Sequence, residues 1–117
     1  MPGTTHPAEL IDGAVAAMWP RHPHLQLHML LDLAEAPDPD ALAAAVGGLL
    51  ADAPELGCRY QQGWWRDHWI PLERPPEAFV THREIDVGDL DEATRAWTAE
   101  VIPILTEPPM RLACLRH

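Results

Sequence analysis

The segment at residues 38–60, DPDALAAAVGGLLADAPELGCRY, constrains the fold more than any other stretch of the chain. Asp38 is a favoured helix N-cap, Pro39 suits the first helical position, and Pro54 cannot continue a helix. Apolar residues recur between them at helical spacing, namely Leu42, Val46, Leu49, Leu50 and Ala53. The segment therefore predicts an amphipathic helix that leads into a strand at residues 57–62. Gly47 and Gly48 inside this helix should each cost about 1 kcal/mol relative to alanine.

The stretch before this helix, LQLHMLLDLA at residues 25–34, predicts a strand. Every second residue is apolar, and these residues are Leu25, Leu27, Met29, Leu31 and Leu33. Strict alternation is typical of a strand with one face packed on a core. The residues are poor in β-branching, so the pattern and not the propensity carries the prediction.

The remaining elements follow from the same signals. Pro7 in a first turn, with Leu10, Ala14, Ala17 and Met18 on one face, predicts a helix at residues 7–19. A hairpin is expected from a strand at 57–62, a turn at Gly63 and Trp64, and a strand at 65–72. Further along we predict a strand at 79–86, a helix at 89–105 capped by Asp89 and kinked at Pro103, and a strand at 110–116. The order α-β-α-β-β-β-α-β indicates an α+β fold with helices packed on a mixed sheet.

Length and charge exclude several classes of function. A chain of 117 residues is one domain or one lobe of a larger one. The net charge of −10, with arginine as the sole basic side chain besides histidine, disfavours nucleic acids and anionic membrane surfaces. No apolar run approaches the roughly 20 residues of a membrane helix, and no signal peptide is visible. Two distant cysteines are then expected to stay reduced, in the cytoplasm, and the lysine-free composition is typical of a GC-rich bacterial genome.

Two clusters of side chains are candidate binding sites. His22, His24 and His28 are spaced like metal ligands, but two of them precede the predicted strand and no carboxylate or cysteine completes the set, so solvated loop histidines are favoured. Trp64, Trp65 and Trp69 favour packing in a small core. A protein interface or a ligand channel remains open for the three tryptophans.

No nucleophile and base are paired in the sequence. His68 and His82 are candidate bases with Asp67 and Glu84 as orienting carboxylates, but the chain contains no serine. Two thiols, Cys58 and Cys114, occupy apolar strand positions without a local catalytic signature. We therefore predict no catalytic residue, no cofactor-binding residue and no metal ligand in this chain.

The order of the elements and the sequences of three segments resemble the N-terminal half of the condensation-domain and acyltransferase superfamily. This superfamily has the chloramphenicol acetyltransferase fold. The resemblance covers about residues 25–116. It is carried by the strand LQLHMLLDL, the helix and strand entry of residues 38–60, and the later EPPMRLACLR. Matching positions are Pro39, Asp40, Ala41, Leu42, Ala45, Ala53, Pro54, Glu55, Leu56, Arg59 and Tyr60, followed by Pro109, Met110, Arg111 and Leu112.

This resemblance implies that residues 1–117 are either a single domain or the N-terminal lobe of a two-lobe acyltransferase. In the family, an acyl thioester of coenzyme A or of a carrier protein reacts with an amine or alcohol. The general base is the second histidine of His-His-x-x-x-Asp-Gly, expected beyond the strand at Met110, and this sequence lacks the motif. The chain is then expected to be inactive without a C-terminal lobe or partner chain. The alternative is a small non-catalytic binding or assembly module that pairs through its terminal strand, for example as a homodimer.

Overall fold

The computed structural model describes residues 5–18 and 26–117, and within them the fold is α+β, as predicted. Three α-helices are present in these ranges, α1 (Leu10–Met18), α2 (Pro39–Asp52) and α3 (Leu90–Ala99). The strands are β1 (His6–Pro7), β2 (Cys58–Gln61), β3 (His68–Pro71), β4 (Val80–Glu84) and β5 (Leu112–Arg116). They form two small sheets and not one mixed sheet.

The first sheet is antiparallel, with the order β1-β3-β2, and it carries the core. Tyr60 of β2 lies opposite Trp69 of β3, and His6 of β1 lies on the other side of Trp69. The second sheet is the parallel pair β4–β5, in register from Val80 opposite Leu112. Parallel strands need a crossover between them, and α3 supplies its helix.

Helix α2 confirms the prediction for residues 38–54. The Asp38 carboxylate accepts a hydrogen bond from the Ala41 backbone at 3.0 Å, and Pro39 is the first helical residue. A 3-10 turn at Pro54–Gly57 then leads into β2. Gly47 lies beside the ring of Pro76, whereas a Cβ on Gly48 would meet nothing within 4 Å. The helix therefore tolerates Gly48 without any close packing that requires it.

Helix α1 corrects two predictions. It begins at Leu10, because Pro7 belongs to the edge strand β1, and Trp19 lies outside the described residues. The predicted core stripe faces outward, with Leu10 93% exposed and Met18 44% exposed. The inner face instead presents Gly13, whose Cβ would lie 3.4 Å from the Tyr60 hydroxyl. Small residues allow the helix to lie close to the sheet, and this proximity decides which face is inside.

The predicted strand at residues 25–34 is wrong for the part that is described. Residues 26–34 belong to neither sheet, and Leu25 lies outside the described residues. Alternation predicts which side chains would share a face, but a strand exists only where a neighbouring strand accepts its hydrogen bonds. Within the described residues no strand pairs with this segment.

Five further elements are shorter than predicted, and β2 and β4 lose only one or two residues at each end. Strand β3 begins at His68 and not at residue 65, so Trp65 belongs to the connecting loop and does not share a strand face with Trp69. Helix α3 ends at Ala99, before Pro103 could kink it, and the Asp89 side chain makes no capping hydrogen bond. Strand β5 begins at Leu112 and not at Met110. Just after Ala99, the Gln26 side chain hydrogen-bonds to the backbone of Glu100 and Ile102 and so holds this backbone out of the helix.

The buried core is small for the length of the chain. Its central cluster consists of Ala8, Tyr60 and Ile104, with Ala16, Trp69 and Ile102 packed around it. The total accessible surface is 8531 Å², whereas a compact protein of 13.0 kDa exposes roughly 6,300 Å². The shortest principal extent is 18 Å, little more than one helix on one sheet. The chain is thus a thin layer with about a third more surface than its mass requires.

Candidate functional site

The Asp67 carboxylate joins β2 to the loop that connects it with β3. It accepts hydrogen bonds from the Tyr60 hydroxyl and from the backbone N–H of Gly63, the latter at 3.0 Å. The hydrogen bond from Tyr60 is the main reason that the pKa of Asp67 is lowered, and the Gly63 amide adds to it. Burial, followed by the hydrogen bond to Asp67, raises the pKa of Tyr60 above its ordinary value. Tyr60 is fully buried, and its hydroxyl holds the partly exposed Asp67 carboxylate against β2.

The same network ties α1 to the antiparallel sheet. The Trp69 ring meets the Tyr60 ring edge-on, with centroids 5.0 Å apart. Its indole N–H donates to the Asp12 carboxylate at 3.2 Å, and Asp12 also accepts from the backbone of Glu9. Trp69 is therefore a core residue, as the sequence favoured for the three tryptophans.

Trp64 and Trp65 differ from Trp69, because they stand in solvent at the tip of the β2–β3 hairpin. Their exposed fractions are 96% and 84%, and their rings are tilted by 56° at a centroid distance of 6.2 Å. Gly63 makes this tip possible, since a Cβ there would lie 2.1 Å from the Arg66 carbonyl oxygen. The predicted cluster therefore divides into one core ring and two exposed rings.

The histidines do not form a metal site in the part of the chain that the structure describes. His22 and His24 lie outside that part, and His28 is exposed. Among the residues of 5–18 and 26–117, no three side chains of histidine, cysteine, aspartate or glutamate are grouped to hold a metal. His68 lies next to Asp67 in the chain, and no hydrogen bond joins the two side chains.

The two thiols have different surroundings. Cys58 is buried, its thiol donates to the Pro54 carbonyl at 3.3 Å, and burial raises its pKa. Cys114 is half-buried in β5, where it lies opposite His82 of β4. No hydrogen bond links this thiol to that imidazole. The pairing depends on the register of two strands distant in sequence, so sequence reasoning did not find it.

An open cleft lies at the carboxyl ends of β4 and β5, beside the start of α3. Its volume is about 780 Å³, and it is wide open to solvent. The charged residues that line it are Arg83, Glu84, Asp86, Asp89, Glu92, Arg116 and His117. Ligands of parallel sheets commonly bind at this end of the strands.

The most unusual surface is the segment at residues 27–33, which we name the strap. Five of its seven side chains are large and apolar, and each is between 57% and 92% exposed. They are Leu27, Met29, Leu30, Leu31 and Leu33. Within the described ranges, no residue of the strap makes a hydrogen bond. A monomeric protein rarely leaves a contiguous apolar patch of this kind uncovered.

Both ends of the strap are held in place. At its start the buried Gln26 side chain donates to the Glu100 carbonyl at 2.8 Å and accepts from the Ile102 N–H at 2.7 Å. After its end, Asp38 caps α2. The amide of Gln26 takes the place of a strand neighbour for residues 100 and 102, which also explains why α3 stops at Ala99.

Arg111, a residue of the resemblance, has a structural contact of its own. Its guanidinium pairs with Glu100 at 2.9 Å and with Glu107 at 3.2 Å. These ion pairs hold the entry of β5 against the chain that follows α3. Partly exposed pairs of this kind contribute about 0–1 kcal/mol each, so their main effect is to fix position.

In the described residues, no helix is long and apolar enough to cross a membrane. Comparisons of the chain with protein-family models, with curated proteins and with solved structures found no match.

Proposed function

We propose that this chain is the N-terminal lobe of a condensation-type acyltransferase and is inactive until a second lobe joins it. The completed protein would transfer an acyl group from a coenzyme A or carrier-protein thioester to an amine or alcohol. The proposal combines the sequence resemblance with one structural observation, which is that the β4–β5 sheet has two strands in the described part of the chain.

The two-stranded sheet supports a second lobe for a physical reason. Parallel sheets occur almost always with both faces covered and with more than two strands. Here β5 pairs with β4 on one side, and no described strand lies on its other side. The interior positions of β5 are only half-buried. A second lobe that adds a strand beside β5 would satisfy its backbone and cover its faces.

The cleft at the carboxyl ends of β4 and β5 is where we place the chemistry. In the resembled family the histidine motif follows the strand that corresponds to β5, and this strand ends at Arg116. A base positioned there would act beside Arg83 and Arg116, which line the cleft. The general base itself must come from the second lobe, because this sequence contains no His-His-x-x-x-Asp-Gly.

The test combines this chain with a second polypeptide that carries the histidine motif and is encoded downstream of, or beside, this chain. Acyl transfer is measured as the release of free coenzyme A thiol. The assay uses a panel of acyl-coenzyme A donors with amine and alcohol acceptors. Neither polypeptide should be active alone, and the mixture should release thiol only when an acceptor is present. The matched control replaces the second histidine of the motif by alanine, which should abolish release without preventing association. A mixture that associates but never releases thiol contradicts the proposal.

A second candidate function is a non-catalytic assembly module that pairs through β5. The same unpaired edge favours it, because an open edge strand pairs readily with another chain. Light scattering over a dilution series would then show a dimer of the isolated chain that Leu115→Pro in β5 disrupts. A monomer at all concentrations would exclude this candidate.

A further inference from the structure

The strap lacks both a cover for its apolar side chains and hydrogen-bond partners for its backbone among the described residues. Its apolar side chains face solvent, and none of its residues makes a hydrogen bond within the described part of the chain. Segments of this composition add to another strand when one is available. The question is which strand the strap best fits.

The sequence of the strap is complementary to itself in one antiparallel register. With Leu30 opposite Leu30, His28 lies opposite Asp32, and this pair occurs twice. The apolar residues also match, since Leu27 then faces Leu33 and Met29 faces Leu31. Cross-strand pairs of opposite polarity, and pairs of large apolar side chains, stabilise antiparallel strands.

Neighbouring registers lack this match. Moving one strap by two residues sets His28 opposite Leu30, or Asp32 opposite Leu30. Parallel pairing in register sets Asp32 against Asp32, which is unfavourable. We propose that two copies of this chain dimerise through antiparallel pairing of residues 27–33, with the two-fold axis at Leu30. A contact of this kind is isologous, so it closes at two copies.

The available area and the net charge are consistent with such a dimer. Each copy exposes about 2,200 Å² more over the whole chain than a compact protein of its mass, and the five exposed apolar side chains of the strap hold part of this excess. A standard interface buries roughly 1,200–2,000 Å² in total. The charge of −10 on each copy opposes association. At about 0.15 M salt this repulsion is screened beyond roughly 8 Å, whereas the contact between His28 and Asp32 acts at shorter range.

The dimer goes beyond the proposed function, because it uses the strap and not the edge of β5. It is tested on the isolated full chain by sedimentation equilibrium across roughly a hundredfold dilution at about 0.15 M salt. We expect a monomer–dimer equilibrium that Leu30→Asp abolishes, since it sets two carboxylates together on the axis. Val87→Asp is the matched control, because Val87 is 70% exposed but lies just before α3. This control should dimerise like the unaltered chain.

A charge exchange tests the register itself. His28→Glu alone sets a glutamate opposite Asp32 twice, and Asp32→Lys alone sets a lysine opposite His28 twice. Each single variant should weaken the dimer about tenfold or more. The double variant His28→Glu with Asp32→Lys sets opposite charges on facing residues and should recover most of the affinity. Both positions are exposed, so far-UV circular dichroism of every variant should match that of the unaltered chain.

Three outcomes would overturn the dimer. They are a monomer at every concentration, higher aggregates without a defined dimer, and a dimer that tolerates Leu30→Asp. A dimer lost with Leu115→Pro but kept with Leu30→Asp would belong to β5. None of these outcomes decides the acyl-transfer assay, which requires the second lobe and a thiol readout.

Discussion

At the scale of single residues, the Asp67 carboxylate closes the β2–β3 loop through Tyr60 and Gly63. Its pKa is lower in the folded chain than its ordinary value of about 3.9. The carboxylate therefore stabilises the fold fully above that value, and this contribution is lost as the pH falls through the folded pKa. We expect Asp67→Asn to destabilise the chain at pH 7, and we expect the difference from the unaltered chain to shrink below about pH 4. Urea unfolding of both chains at pH 7 and below about pH 4 measures this difference in the free energy of unfolding.

Tyr60→Phe is the companion variant, because it removes the hydroxyl and keeps the packed ring. Loss of one hydrogen bond to a charged group costs about 1.5–3 kcal/mol. Since the pKa of Tyr60 is raised, the folded chain retains a proton that the unfolded chain loses above about pH 10. Stability of the unaltered chain should therefore fall above that pH, and part of this fall should be missing in Tyr60→Phe. Identical alkaline profiles would contradict the buried hydroxyl.

Two glycines allow a matched comparison. In Gly63→Ala the new Cβ would lie 2.1 Å from the Arg66 carbonyl, so the loop must deform at a cost of about 1–3 kcal/mol. In Gly48→Ala the new Cβ meets nothing, and the variant should gain up to about 1 kcal/mol from helix propensity. Thermal unfolding of the two variants should shift in opposite directions. A shift in the same direction would contradict the tight loop at Gly63.

The two cysteines should also react differently. Cys58 is 1% exposed and its pKa is raised by burial, whereas Cys114 is half-buried in β5. The thiolate is the reactive form of a thiol, so an aromatic disulfide reagent should modify Cys114 first in the native chain. Cys58 should react only as the chain unfolds. Cys114→Ala should then leave almost no reaction under native conditions, and fast reaction in that variant would contradict the buried position of Cys58.

At the scale of elements, local signals predicted α2 well and long-range contacts decided the rest. Asp38, Pro39 and Pro54 act within a few residues, so the sequence alone places this helix. The outward stripe of α1 was not predictable, because Gly13 faces inward only on account of Tyr60, which is 47 positions away in the chain. Propensity and periodicity carry no information about such a neighbour.

The strap and the pair of Cys114 with His82 both show that strand pairing cannot be predicted from local sequence. Alternation in residues 25–34 predicts a strand, and this prediction is wrong for the described residues 26–34, because the pattern does not supply a pairing partner. Cys114 and His82 are brought together by strand register, which no local motif encodes. The candidate sites of this chain are thus set by which strands pair, whereas its helices are set largely by capping and proline.

At the scale of the whole molecule, the large exposed surface has a measurable consequence. A chain of 13.0 kDa exposes roughly 19,000 Å² when unfolded, so unfolding exposes about a sixth less new surface here than in a compact protein. The urea m-value scales with this area. We expect the monomer to have an m-value about a sixth below that of compact domains of its length, measured in dilute solution. Any partner that covers the surface should raise the m-value, and an ordinary value for the monomer would contradict the thin fold.

The amide proton of Ile102 reports whether the strap is anchored, because it donates to the Gln26 side chain at the start of the strap. The amide of Ile102 lies beyond the end of α3 and outside both sheets, but its acceptor is a buried side-chain oxygen. Deuterium should replace this proton slowly while the strap remains anchored, and quickly once the strap is pulled away. Gln26→Leu should speed the replacement at Ile102 while leaving that at Tyr60 almost unchanged. A spectroscopist could therefore follow the strap from Ile102, which lies seventy-six residues from Gln26 in the chain.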